Sequence, residues 1–172
     1  EGMSDWFSPD FDPTEAGWDR GPQPFGQLGG ELHPLSETCA SSFCGCGNAP
    51  KSLWEKEVLL MRGTFEFPPL KEGHRYRIVV GGSAHVNAGE GYAIYINGRQ
   101  LIEYPSGVFK NQGGQPRGAF IDKEFVQEFQ GGEVTIAATS FLRYFHPREG
   151  SVPPRGHISL WLEEMKIPPL GE

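Results

Sequence analysis

The strongest hydrophobic pattern in the chain is an alternation of period two. Leu59, Met61, Gly63, Phe65 and Phe67 alternate with Leu60, Arg62, Thr64 and Glu66, which predicts a strand with one buried face. This strand is expected from Leu53 to Pro68, where Pro68-Pro69 ends it for want of backbone N–H donors. Tyr76, Ile78 and Val80 repeat the pattern over 75–80, after a turn at Lys71-Glu72-Gly73-His74. Tyr92-Ala93-Ile94-Tyr95-Ile96 and Leu101-Ile102 flank Asn97-Gly98. Both turn residues tolerate the positive φ of a type I′ turn, so the segment reads as a β-hairpin. Two further strands are expected at 134–139 and around Ile158, Leu160 and Leu162. One short helix is expected over 123–130: Ile121, Phe125 and Phe129 recur every four residues, Asp122 stands at the N-cap and Gly131 at an αL C-cap. The predicted core is Leu59, Met61, Phe65, Ile78, Ile94, Ile96, Val134, Ile136 and Leu160. These elements predict an all-β antiparallel sandwich.

Three stretches carry no period. Residues 1–53 scatter Trp6, Phe7, Phe11, Trp18 and Phe25 among Asp, Pro and Gly. Rings of that size are costly in water, so an extended arm is expected to lay them on a sheet. Residues 105–118 and 141–150 read as long loops, a length that often carries function. The whole chain, 1–172, is expected to form one domain, with 1–53 as arm and cysteine-containing loop and 54–168 as sandwich core.

Composition narrows the function classes. The formal charge of −7 and the lack of a Lys/Arg cluster argue against nucleic acid as partner. No apolar run of about eighteen residues is present, so no membrane-spanning helix is expected. Cys39, Cys44 and Cys46 follow a C-x4-C-x-C spacing, with His33 as the one nearby fourth ligand. Zinc prefers separated pairs such as C-x2-C, so a local disulfide with a free thiol, or three plain thiols, is the preferred reading. None of His33, His74, His85, His146 and His157 forms an H-x-H or H-x3-H pair. His85, Asn87 and Glu90 share one polar loop. Glu103, Asp122 and Glu124 are available as acids, but no hydrolase, nucleotide-binding or zinc-protease motif occurs in its structural context, so catalysis is unsupported.

Trp6, Phe11-Asp12, Trp18 and Phe25-Gly26 are followed by Trp54 and the strand Leu60-Met61-Arg62-Gly63-Thr64-Phe65. The hairpin Tyr95-Ile96-Asn97-Gly98 and the turn Phe129-Gln130-Gly131-Gly132-Glu133 into Val134-Thr135-Ile136-Ala137 come next. In this order the chain resembles a galactose-binding-like jelly-roll domain, the accessory module of many glycoside hydrolases. Glu133 stands where that family usually carries Asn, and the cysteine segment and 105–118 are additions. The resemblance implies a secreted, periplasmic or otherwise extracellular setting. A structural calcium is the one cofactor it suggests, and Asp5, Asp10, Asp12 and Asp19 form the densest acidic set.

Three functions follow in order of preference: a non-catalytic carbohydrate-binding or accessory module, an extracellular structural or protein-interaction module, and a small metal-dependent enzyme. Sugar recognition needs aromatic faces and planar polar groups on loops at one sandwich end. The residues expected to supply them are Tyr104, Phe109, Asn111, Gln115 and Arg117 on one loop, and Arg143, Tyr144 and His146 on the 141–150 segment.

Overall fold

A computed structural model describes residues 4–23, 25–26, 51–54, 58–81, 91–104, 117–129, 132–141 and 157–168. Nine strands are formed there: β1 (Phe25–Gly26), β2 (Ser52–Leu53), β3 (Val58–Glu66), β4 (His74–Gly81), β5 (Gly91–Ile96), β6 (Arg99–Tyr104), β7 (Arg117–Phe120), β8 (Glu133–Phe141) and β9 (His157–Lys166). The helix α1 spans Lys123–Gln127. No helix among the described residues is long and apolar enough to cross a membrane.

The strands form two sheets, ordered β2-β1-β9-β4-β7 and β3-β8-β5-β6, and no strand is shared between them. Every neighbouring pair is antiparallel except β1 with β2. The molecule is therefore an all-β, two-sheet sandwich. The inner faces follow the alternation of the sequence: Tyr76, Ile78 and Val80 of β4 and Ile158 and Leu160 of β9 meet Met61, Ile94, Ile96, Val134 and Ala138. Trp54, Tyr92 and Phe67 are the largest fully buried side chains. Phe67 leaves β3 and packs its ring against Tyr76 and Phe129, which ties the β3–β4 turn to the helix.

The hairpin turn is as the sequence requires. Asn97 has φ 47° and Gly98 φ 80°, both in the left-handed region that Asn and Gly tolerate best. Asn97 also crosses to β8: its backbone N–H donates to Thr135 O at 2.9 Å, and its Oδ1 accepts from Thr135 N–H at 2.8 Å.

Several expectations need correction. The helix ends at Gln127, because the N–H groups of Glu128 and Phe129 bond three residues back, to Phe125 O and Val126 O, and tighten the last turn. Asp122 holds the N-cap position without a side-chain cap bond; its carboxylate lies 3.8 Å from Arg99 instead. Gly131 lies outside the described residues. The first long strand begins at Val58 rather than at 53, where residues 52–53 form the separate β2. Leu59, Phe65 and Ile136, expected to be mostly buried, are only partly buried: Leu59 and Phe65 lie on the edge strand β3, and Ile136 on β8 stands opposite Gly63, which has no side chain to cover it.

The arm docks on the outer face of the four-stranded sheet. Arg62, Ala137 and Tyr95 stand side by side across β3, β8 and β5. Phe7 stacks on Tyr95 at 4.5 Å, Trp6 meets the same ring edge-on at 5.7 Å, and Trp18 stacks on Trp6 at 6.4 Å. The Arg62 guanidinium donates to Ser8 O at 2.5 Å, Pro9 O at 2.7 Å and Trp6 O at 3.4 Å. Ala137, an outward-facing residue, is buried as a result. Partial burial lowers the pKa of Arg62, and Asp10 opposes that shift.

Candidate functional site

With one outer face taken by the arm, the other sheet presents a different surface. Its strands turn Tyr76, Ile78, Leu160 and Leu162 inward, so the alternate residues Arg75, Arg77, Trp161, Glu163 and Met165 face outward. Phe120, Arg77 and Glu163 form one row across β7, β4 and β9. Gly118, Val79 and Trp161 form the next row, and Arg75 with Met165 lies on the other side.

The row is tightly joined. Arg77 donates from Nε to Glu163 Oε2 at 2.8 Å, and its Nη2 lies 2.6 Å from the same oxygen. Trp161 Nε1–H donates to Glu163 Oε1 at 2.9 Å. Phe120 is 43% exposed and carries two guanidinium groups: Arg75 lies 4.6 Å and Arg77 5.9 Å from its ring centroid. By strand spacing, Trp161 and Phe120 are two strands and one row apart, roughly 12 Å. Two aromatic rings, a fixed carboxylate and two guanidinium groups thus share one face. Such a surface can take the C–H face of a sugar on its rings and bond hydroxyls at Glu163 and the arginines.

Glu163 gives this face a pH signature. The Trp161 N–H and then the Arg77 guanidinium hold its carboxyl below the ordinary glutamate range. A depressed folded-state pKa contributes stability above the unfolded value, and that contribution disappears as pH falls through the folded value. Glu163→Gln is therefore expected to cost stability at neutral pH and to match the parent in acid, where both side chains are neutral. Denaturant midpoints of the two proteins across the acid range check this; a constant difference at all pH values would contradict it.

Beside this face, the sandwich is open between the edges of β3 and β9. The opening, about 450 Å³, is lined by Met61, Phe65, Ile78, Ile136, Leu160 and Leu162. Gly63 contributes to it by offering no side chain on an inward position, with no atom within 4 Å of where a Cβ would stand. Along β9 the side-chain amide of Gln23 acts as a one-residue strand: Nε2 donates to Leu160 O at 2.7 Å and Oε1 accepts from Leu160 N–H at 2.8 Å.

Of the site residues read from the sequence, Phe109, Asn111, Gln115, Arg143, Tyr144 and His146 lie outside the described residues. Tyr104 and Arg117 are strand residues rather than loop residues. Tyr104 closes β6 opposite Tyr92, and Arg117 opens β7 opposite Val80; of these two the backbone alone is described. The strand ends flanking 105–116 and 142–156 fall at one end of their sheets, with Gly91 beside Phe141 and Gly81 beside Ser159.

Glu103, Asp122 and Glu124 line neither of the two clefts described. Asp12 serves the arm itself, its Oδ1 accepting from Thr14 N–H at 2.7 Å and Glu15 N–H at 3.3 Å. Among the described residues, which include Asp5, Asp10, Asp12 and Asp19, no three His, Cys, Asp or Glu side chains gather as metal ligands. The three cysteines, His33, and His85 with Asn87 and Glu90 fall outside the described residues.

Sequence reasoning missed Trp161, Glu163, Arg77, Arg75 and Phe120 as a group. The available signal was an aromatic and charged residue at each outward position between Leu160, Leu162 and the core positions of β4. Compared with known proteins, the chain matches no family model and no curated protein.

Proposed function

We propose that the chain is a non-catalytic carbohydrate-binding or accessory module of a secreted carbohydrate-active protein. Its sugar platform on this reading is the outer face of the five-stranded sheet. The observation that carries it is the Phe120–Arg77–Glu163 row, its ring exposed and its ion pair half-buried, with Trp161 and Arg75 on either side. The strand order supports a jelly-roll assignment: β1-β9-β4-β7 packed on β3-β8-β5-β6 gives eight strands in two four-stranded layers. That order, with the motifs along the chain, supports the galactose-binding-like resemblance.

Titration of neutral oligosaccharides against the parent, Trp161→Ala and Phe120→Ala tests the platform. Weak, saturable binding is expected in the parent, since an open face buries little ligand area. Loss of either ring is expected to lower affinity roughly tenfold while stability changes by about 1 kcal/mol or less. Unchanged affinity in both variants, with loss in Tyr104→Ala or Arg143→Ala, would move the site to the loop end. No binding by the parent would favour the second reading, an extracellular structural or protein-interaction module. The apolar opening between β3 and β9 is the observation behind that alternative. The third, a small metal-dependent enzyme, has no observation among the described residues behind it.

A further inference from the structure

A second cleft, of about 590 Å³, lies at the end of the sandwich that holds the β3–β4 turn and α1. Its floor is Leu70, Tyr76, Ile121 and Val126, of which the last three are buried. Ile167, 44% exposed, forms an apolar lip. The one polar atom of the floor is already engaged: Tyr76 Oη donates to Pro69 O at 3.3 Å and accepts from Lys71 N–H at 3.1 Å. The floor side chains are therefore apolar with their one hydroxyl engaged, and the accessible apolar surface comes chiefly from half-buried Leu70 and the Ile167 lip.

The mouth has the opposite character. Lys71, His74, Arg75 and Lys123 stand around it, with Glu72 as the one acidic side chain in the lining. This occurs in a chain that carries 22 acidic against 15 basic side chains. Glu164 pairs with Lys71 Nζ at 2.8 Å and lies 3.5 Å from His74 Nε2, so one carboxylate serves two groups. Arg75 and Lys123 have no acidic partner among the described residues. Arg75 instead lies over Phe120. Uncompensated cations above a dry apolar floor select for an anionic head on an apolar body. The volume is that of a small-ligand pocket.

We propose that this cleft binds a small amphiphilic carboxylate, its apolar body on Leu70, Tyr76, Ile121 and Val126 and its carboxylate at the rim beside Arg75 and Lys123. The site shares Arg75 with the proposed sugar platform but uses neither of that platform's rings, Trp161 and Phe120, so Trp161→Ala tests the one reading and Lys123→Gln the other. Sodium octanoate, below its micelle concentration, and its neutral counterpart octanamide are the probes. Both are titrated into the full chain at neutral pH and followed by backbone amide shifts.

Saturable shifts confined to 70–76 and 121–127 are expected for octanoate, with weaker binding of octanamide. Lys123→Gln and Arg75→Gln, both at exposed positions, are each expected to weaken octanoate by about two- to fivefold. Neither is expected to change octanamide binding. Added salt should weaken octanoate alone. Shifts spread over the sheets, equal affinity for the two probes, or unchanged octanoate affinity in the Arg75→Gln, Lys123→Gln double variant would each overturn the proposal. So would the absence of saturable shifts.

Discussion

Replacing Phe67 with alanine is expected to destabilise the protein by about 3–5 kcal/mol, the upper range for large-to-small core changes. Phe67 is 2% exposed and its ring meets those of Phe65, Tyr76 and Phe129 within 5.2–6.2 Å. Through these contacts it joins β3, β4 and the helix segment at this end of the sandwich. Removing the ring leaves a void walled by rigid strands, and strands close such voids poorly. Phe65→Ala is the matched comparison. Phe65 is half-buried beside the opening between the sheets, so its truncation is expected to cost distinctly less. Chemical denaturation of the two variants and the parent gives the comparison directly. An equal loss in both, or a Phe67→Ala midpoint close to that of the parent, would mean that the strand faces are misassigned.

Arg62→Ala is expected to release the arm and to cost about 1.5–3 kcal/mol. Three backbone carbonyls, of Trp6, Ser8 and Pro9, accept from one guanidinium, and bonds to charged donors are stronger than neutral ones. Without the guanidinium, these carbonyls lose their common donor and Trp6 and Phe7 lose their anchor beside Tyr95. Arg62→Lys keeps the charge but not the fork, so it is expected to fall between the parent and the alanine variant. Limited proteolysis within 4–18, the tryptophan emission of Trp6 and Trp18, and the melting temperature together read the outcome. An arm as protected as in the parent, with Tm unchanged in Arg62→Ala, would sink the idea that this clamp holds it.

How far the sequence carries can be judged from particular elements. Asn97-Gly98 announced its hairpin because the constraint is local: positive φ at two successive residues is costly for almost any other pair. The strand faces at 59–67, 76–80, 92–96 and 134–138 were legible for a similar reason. A sheet with one buried face imposes period two whatever its neighbours are. Ile121, Phe125 and Phe129 announced a buried face, although the helix itself proved shorter: Glu128 and Phe129 bond three residues back, and Phe129 is still buried against Phe67.

Tertiary structure alone decided the rest. The two-residue strands β1 and β2 have no period to read; they exist because Gly26 and Phe25 meet 157–158 on one side and 52–53 on the other. Gln23 becomes a strand partner for Leu160 across a separation of 137 residues, which no local pattern encodes. The arm was visible as a set of rings that needed cover, but its seat on the Arg62–Ala137–Tyr95 row depended on which residues the register brings side by side. Outward positions obey no burial rule, so the Phe120–Arg77–Glu163 row and the cationic rim of Lys71, Arg75 and Lys123 were free to take any polar sequence. What fixes their chemistry is adjacency across strands and turns far apart in the chain, and adjacency is a property of the fold.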